Sequence, residues 1–228
     1  LGGKNSHVIV QNPDDKAVLD SIVKVPITLI RGSGVDLSQY EYIEENNQKI
    51  KVSMACRLLK DKGVFEYIEA SKILKKKYLN VKFELYGDID IHNPASLTSD
   101  DIKKIKEEGF VNVYGFSSDI AKVFCDSNII VLPSYREGLP KVLIEAAACG
   151  RAVVTTDVPG CRDAIEPNVT GLLCEVKDTE SLARMIEKLI IDEKLRNRMG
   201  YEGRKLAEQE FDINKVVEKH FEIYEGRV

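Results

Sequence analysis

The sequence predicts an α/β fold in which a doubly wound parallel sheet is covered by helices on both faces. Short apolar runs, typical of buried strands, alternate with longer amphipathic segments about six times along the chain. Turn signals rich in Gly, Pro, Asn and Asp separate the two kinds of segment. The 228 residues, of which 43% are hydrophobic and 31% charged, suffice for one large domain or one domain plus a piece.

Composition excludes several classes of function. The net charge is −4 and no long basic tract is present, so nucleic acid is not an expected partner. No apolar run approaches the roughly 20 residues of a membrane-spanning helix. The five cysteines are scattered without a Cys-x-x-Cys pair, which predicts reduced thiols that fill the core of a cytosolic protein. No His accompanies them at metal-binding spacing, so no metal site is expected.

The first 30 residues are expected to form a small unit of their own. Its predicted elements are a strand at 7–10, a helix from the Asn12 cap and Pro13 to about Val23, and a strand at 27–30. A hinge-like loop with two glycines follows at 31–36. No Gly-Lys-Ser/Thr comes after those glycines, so the loop is not a P-loop. The chain begins Leu-Gly-Gly without Met, and we expect it to be a fragment.

The main domain is predicted to start after a polar loop at 38–50. Its strands are expected at 51–56, 81–86, 111–114, 129–132, 152–155 and 172–174. Its helices are expected at 63–77, 100–108, 120–125, from Pro140 to near Gly150, from 179 onward, and at 212–225. In the first of these helices, Phe65, Ile68, Ile73 and Leu74 are the predicted buried stripe.

The most informative stretch runs from Leu132 to Gly150 and reads as strand, loop and helix, the unit whose loop holds ligands in open α/β sheets. It contains Glu137 in the loop and Glu145 in the helix. Glu145 lies among apolar residues, and a carboxylate beside a core needs a partner. The alternative is an ordinary helix Glu that points into solvent.

This stretch resembles a known signature. Its pattern, Pro-Ser-x-x-Glu-Gly-x-Pro-x-x-x-x-Glu-Ala followed by Gly-x-x-Val-Val-Thr-Thr-Asp, is similar to the donor-binding signature of the retaining family-4 glycosyltransferases, which have the two-domain GT-B fold. The resemblance covers about residues 30–211. A narrower resemblance, to enzymes that build bacterial surface polysaccharides, rests on Gln-Asn-Pro-Asp-Asp and Glu-Gly-Leu-Pro-Lys.

The resemblance implies a role for each residue of the loop and helix. Glu137 would contact the transferred sugar, and Glu145 the nucleotide ribose, since one carboxylate can accept hydrogen bonds from two neighbouring hydroxyls. Backbone N–H groups near Gly138 and Leu139, at a helix N-terminus, would face the diphosphate, and Pro140 beside them is a further candidate for the binding site.

The loop after the first strand of the main domain supplies two further candidates. Lys62 precedes a predicted helix, where a cation opposes the helix dipole unless an anion is bound. The resemblance implies that Arg57 and Lys62 neutralise the leaving diphosphate; a solvated surface lysine is the alternative. It also implies that the backbone around Phe116 meets the base, although a core position for Phe116 is equally compatible with the sequence.

The resemblance also implies domains. Residues 1–35 would be the remnant of an N-terminal acceptor domain plus linker, 36–211 the Rossmann-like nucleotide-sugar-binding domain, and 212–228 a helix that crosses back. We expect the first unit to be loosely held or abnormally packed without its parent sheet.

The expected function is transfer of a sugar, with retention, from a nucleotide-diphosphate sugar, expected to be a UDP-sugar, to a glycan or lipid-linked acceptor. No cofactor is expected. The fragment alone should bind donor weakly and catalyse no transfer. The expected location is cytoplasmic, with contact at the inner membrane face.

The alternatives to this function are a GT-B sugar-nucleotide epimerase and a non-catalytic nucleotide-binding module. A dinucleotide-dependent oxidoreductase is disfavoured because no Gly-x-Gly-x-x-Gly follows a strand.

Overall fold

A computed structural model describes residues 6–46 and 49–226, in which eight strands and eight α-helices are formed. The strands are β1 (Val8–Val10), β2 (Ile27–Leu29), β3 (Lys51–Ala55), β4 (Lys82–Tyr86), β5 (Asn112–Tyr114), β6 (Ile129–Leu132), β7 (Ala152–Thr156) and β8 (Gly171–Cys174). The helices are α1 (Pro13–Asp20), α2 (Val64–Lys75), α3 (Ser99–Glu108), α4 (Ile120–Cys125), α5 (Lys141–Ala148), α6 (Thr179–Ile191), α7 (Glu193–Leu206) and α8 (Ile213–Tyr224).

Six strands form one parallel sheet in the order β5-β4-β3-β6-β7-β8. The direction in which strands are added reverses between β3 and β6, which are neighbours. Because crossovers between parallel strands are right-handed, α2 and α5 lie on opposite faces of the sheet. The predicted doubly wound, Rossmann-like fold is therefore confirmed, and its topological switch point lies at the carboxyl ends of β3 and β6.

The continuous apolar runs of the sequence reflect burial on both faces of the sheet. Every residue of β6 and β7 is buried, as expected for central strands of a parallel sheet. The stripe predicted for α2 is partly wrong, because Phe65 is exposed and Ile73 is only half-buried. Ile68 and Leu74 of the predicted stripe are buried, and Val64, Tyr67 and Ser71 face the core with them, at the three- and four-residue spacing of one helix face.

Two helix boundaries differ from the sequence prediction by more than two residues. The helical region from 179 onward breaks at Asp192, whose carboxylate accepts a hydrogen bond from the Leu195 N–H at 2.9 Å and caps α7. Helix α1 ends at Asp20, before the predicted end at Val23. Within the described ranges, no helix is both long enough and apolar enough to cross a membrane.

Polar contacts attach the first unit to the main domain, and the side chains of Asn12 and Arg31 contribute to them. Asn12, which is fully buried, caps α1 and donates from Nδ2 to the Gly138 carbonyl at 2.9 Å. Arg31 donates to the Asp163 carbonyl. Helix α1 itself has no buried residue. The unit is thus held through its loops, not through an apolar interface of its helix.

The polar loop at 38–50 contains an ion pair that sequence reasoning did not anticipate. Glu45 Oε2 lies 2.7 Å from Arg196 Nε, with side chains only 3% and 1% exposed. Asn128 also donates to Glu45 Oε2, at 3.0 Å. The loop is therefore fixed to α7 and to the start of β6 by buried charge.

The five cysteines are free thiols, but they are not equivalent. Burial raises the pKa of Cys56 to about 12, of Cys161 to about 11 and of Cys174 to about 12. The hydrogen bond with the Cys149 thiol, and then the charge of Arg151, lower the pKa of half-exposed Cys125 to about 7. Cys125 thus packs against the core while only partly buried, and its pKa is lowered where those of the other thiols are raised.

Alkylation should single out Cys125. The thiolate is the reactive species, and Cys125 forms it as the pH rises through about 7, whereas the other thiols stay protonated. Iodoacetamide labelling, followed by peptide mass spectrometry from about pH 6 to about pH 9, should show one fast site with a midpoint near neutrality. Cys125→Ser should remove that fast phase. Equal labelling rates at all five cysteines would contradict the expectation.

Candidate functional site

The loops that follow β3 and β6 cross in contact at the switch point. Tyr135 N–H donates to the Asp61 carbonyl at 2.8 Å, and Ser134 Oγ lies 3.2 Å from the same oxygen. Gly63, at φ 75°, lets the loops approach: a Cβ there would lie 2.1 Å from the Pro133 carbonyl oxygen. Only glycine fits this position without moving backbone.

This crossing brings together two of the predicted site residues, Lys62 and Glu137. Lys62 ends a short 3₁₀ turn before α2, and its Nζ lies 2.6 Å from Glu137 Oε1. The side chains are 18% and 13% exposed, so the alternative of a solvated surface lysine is wrong. Such a charge-assisted hydrogen bond is stronger than a neutral one. A cation and a carboxylate therefore lie together at the mouth of the crevice.

The N-terminus of α5 opens onto the same loop. Pro140 is the N-cap, and the helix begins at Lys141. Neither the Gly138 nor the Leu139 N–H donates a hydrogen bond to any other residue in the described ranges. Free N–H groups beside a positive helix end are suited to an anion.

Glu145 is buried, at 7% exposure, so the alternative of an outward-pointing helix Glu is wrong. Its Oε1 accepts a hydrogen bond from the Tyr40 hydroxyl at 2.6 Å and lies 3.5 Å from Lys141 Nζ. Both contacts are made at the same carboxylate oxygen. The predicted need of this carboxylate for a polar partner is confirmed.

Two other candidates lie at the rim of the crevice. Arg57 is well exposed and lies 3.4 Å from Asp90, apart from the Lys62–Glu137 pair. Phe116 has a side chain 76% exposed and donates its N–H to Asp88 at 3.2 Å. The alternative that Phe116 belongs to the core is therefore wrong.

Sequence reasoning missed Tyr40 and Asn12 at this site. Tyr40 stands in the polar loop with Tyr42 two positions on, and nothing in the pattern shows which ring is buried. Asn12 was identified only as a helix cap, a local role that gave no sign of its contact with Gly138. Among the described residues, no group of three or more His, Cys, Asp or Glu side chains could hold a metal ion.

The geometry has a definite chemical character. Lys62 and the α5 N-terminus offer positive charge and N–H donors to an anion, while Glu137 and Glu145 offer acceptors to hydroxyl groups. A ligand with an anionic centre flanked by hydroxyl-bearing groups matches this arrangement.

Solved structures share the fold of this chain. A sucrose-phosphate synthase from Thermosynechococcus elongatus superposes with a TM-score of 0.85, at 24% identity, over 96% of this chain and 58% of that chain. Anabaena HepE, solved with UDP and glucose, superposes with a TM-score of 0.82 at 21% identity, over 96% and 63% of the two chains. The fold class is that of the GT-B glycosyltransferases.

Residues 39–206 match the profile of the family described as Glycosyl transferases group 1. The chain belongs to this family. It is 34% identical to the Staphylococcus aureus capsular polysaccharide biosynthesis glycosyltransferase CapM over 178 residues, 78% of this chain and 46% of the relative.

A second relative is the Campylobacter jejuni N,N'-diacetylbacillosaminyl-diphospho-undecaprenol alpha-1,3-N-acetylgalactosaminyltransferase. The chain is 32% identical to it over 212 residues, 87% of this chain and 54% of the relative. The chain thus spans about half the length of the curated relatives it matches. The predicted resemblance to glycosyltransferases of bacterial surface polysaccharides is confirmed.

Proposed function

We propose that this chain forms the nucleotide-sugar-binding half of a retaining glycosyltransferase. The observation that supports this most directly is the Lys62–Glu137 pair at the topological switch point, beside the N-terminus of α5. In open α/β sheets, ligands bind in this crevice. The donor would be a nucleotide-diphosphate sugar and the acceptor a hydroxyl of a glycan or lipid-linked sugar.

In this proposal the main task of the site is to stabilise charge on the departing diphosphate. Lys62, the α5 N-terminus and Arg57, after a swing of its exposed side chain away from Asp90, would supply the positive charge. No divalent metal would then be required. Glu137 would orient the sugar and stabilise positive charge that develops at its anomeric carbon.

The nucleoside would lie between α5 and the loop after β5. Glu145 would accept hydrogen bonds from the ribose, and the exposed Phe116 would lie near the base. We propose UDP as the nucleotide, because HepE was solved with UDP and an Escherichia coli relative is named for UDP-Gal. That assignment belongs to those proteins and is extended to this chain as a proposal.

The acceptor and the location follow from the same relatives. Two of them are named for sugars linked to undecaprenol through a diphosphate. A long hydrocarbon chain of this kind partitions into a membrane. We therefore extend the proposal to a cytoplasmic protein that works at the inner face of the membrane. The acceptor would be held by an N-terminal domain, with residues 1–35 as part of that domain and its linker, 36–211 as the donor domain, and 212–228 crossing back.

Calorimetric titration with UDP, GDP and ADP tests the donor site. The chain should bind one of the three, weakly. Lys62→Met and Glu145→Ala should each weaken that binding by about tenfold or more, since each removes hydrogen bonds that involve a charged group. Arg57→Ala should weaken it less, because this side chain must first leave Asp90.

Glu187→Gln is the matched control for these variants. Glu187 also forms an ion pair, with Lys77 at 3.2 Å. Lys77 lies in the turn between α2 and β4, at the amino ends of the strands and away from the site. Replacement of Glu187 should leave binding unchanged. Binding of none of the three nucleotides, or equal binding by wild type, Lys62→Met and Glu145→Ala, would contradict the proposal.

A further inference from the structure

Tyr40 and Glu145 form a buried hydrogen bond between the polar loop at 38–50 and the candidate site. The hydroxyl lies 2.6 Å from Glu145 Oε1, and Tyr40 is 8% exposed. The two residues are 105 positions apart in sequence. Hydrogen bonds to an ionised acceptor at this distance are among the strong ones in proteins.

The direction of this hydrogen bond is fixed. Burial, and then the hydrogen bond to Glu145, raise the pKa of the Tyr40 phenol far above its ordinary value, so the hydroxyl keeps its proton. Tyr40 therefore donates and Glu145 accepts. Lys141 approaches the same oxygen, Oε1, at 3.5 Å. Within the described ranges, Oε2 forms no hydrogen bond or ion pair, so this oxygen can accept a hydrogen bond from a ligand.

The position of Tyr40 places it beside the nucleoside region. The Tyr40 hydroxyl contacts Glu145 on α5, and the Cys125 thiol at the end of α4 donates to the carbonyl of the neighbouring Glu41 at 3.4 Å. Helix α4 follows the loop that carries Phe116. Tyr40 therefore borders the space that a ribose bound by Glu145 would occupy.

The main chain of Tyr40 is held independently of its hydroxyl. Arg204 Nη1 donates to the Tyr40 carbonyl and to the Ala148 carbonyl, each at 2.7 Å. Ala148 is the last residue of α5. The guanidinium therefore ties Tyr40 to the helix that carries Glu145, and the ring should stay in place when only the hydroxyl is removed.

We propose that Tyr40 is a positioning residue of the donor site, which occupies Oε1 of Glu145 and thereby directs Oε2 toward a ribose hydroxyl of a nucleoside diphosphate. This inference rests on the proposed function. It assigns to the loop before the main domain a direct part in nucleotide affinity. Without the Tyr40 hydroxyl, the carboxylate could rotate about its last bond and would lose its fixed direction.

Tyr40→Phe tests the proposal with a pair of probes, UDP and 2′,3′-dideoxy-UDP, and with the corresponding guanosine pair in parallel. The variant should bind the ribonucleotide about tenfold more weakly, as expected when a hydrogen bond to a charged group is lost. It should bind the dideoxy nucleotide as wild type does, because that probe has no hydroxyl for Glu145. In a Glu145→Ala background, Tyr40→Phe should have no further effect.

Tyr78→Phe is the matched control, since the Tyr78 hydroxyl also bonds to a Glu carboxylate, Glu187 Oε1 at 2.8 Å. Tyr78 lies in the turn before β4, at the amino ends of the strands and away from the site. This variant should change the binding of neither probe. Equal weakening of both probes by Tyr40→Phe would show a merely structural role and overturn the proposal, as would unchanged binding of the ribonucleotide. If wild type binds no nucleoside diphosphate, the proposed donor site itself fails. If wild type binds but Tyr40→Phe behaves identically, only the positioning role fails.

Discussion

Replacing Glu137 with Gln should tighten the binding of UDP and nearly abolish sugar transfer. Glu137 holds Lys62 at 2.6 Å and places a negative charge beside the position proposed for the diphosphate. Gln keeps the shape but holds Lys62 only through a neutral amide oxygen and removes the repulsion, so UDP affinity should rise by up to about tenfold, the size of one charge-assisted contact. Transfer needs the carboxylate and should fall by about a hundredfold or more.

Two measurements separate these effects. Calorimetry on the chain gives the UDP affinity. Transfer of the sugar from donor to acceptor is measured with the full-length protein. Lys62→Met is the informative comparison, because it should weaken UDP binding and reduce transfer together. If Glu137→Gln weakened UDP binding as much as Lys62→Met does, the carboxylate would be needed to hold Lys62 in position, and the competition described above would be wrong.

Replacing Glu45 with Ala should be the most destabilising single change among the ion pairs described above. Glu45 and Arg196 are almost fully buried, and Asn128 shares the same carboxylate oxygen. Removing one partner of a buried pair costs about 3–5 kcal/mol. For a domain of this size the melting temperature should fall by about 10 °C.

Urea denaturation of the chain, read by circular dichroism, measures this change directly as a lower midpoint. Glu107→Ala is the control, since the Lys103–Glu107 pair is exposed and 4.0 Å apart. Exposed pairs contribute about 0–1 kcal/mol, so that variant should behave as wild type. A loss from Glu45→Ala no larger than that from Glu107→Ala would mean that the buried pair only offsets its own desolvation.

The strands of the sheet could be predicted from the sequence because the residues that define each strand and its ends are adjacent in the chain. The run Ile129–Leu132 is apolar at every position, and the stop at Pro133 is followed by a helix start, so strand, loop and helix can be located without knowing their neighbours. Helix α2 was harder. Phe65 is a larger apolar residue than Val64, and composition alone favoured the wrong position for the buried face.

The candidate site was only partly predictable, since its missing contacts are long-range. Glu137 and Lys62 could be named separately, yet they are 75 positions apart, and their pairing depends on β3 and β6 being neighbours in the sheet. The burial of Tyr40 and Glu45 depends on the path of a polar loop over α5 and α7. That path follows from hydrogen bonds with Glu145, Arg204 and Arg196, and polar loops carry no periodic pattern that encodes it.

The buried amide of Asn12 has a consequence for where this protein can be divided. A boundary drawn at the hinge-like loop would assign Asn12 to one domain and Gly138 to the other. Their 2.9 Å hydrogen bond crosses that boundary and links the two. Any rotation of the first unit would pull on the carbonyl that lies between Glu137 and the start of α5. A chain trimmed to begin at residue 36 would lose this hydrogen bond. Nucleotide binding measured on such a chain would then describe a site whose loop between β6 and α5 lacks one of its restraints.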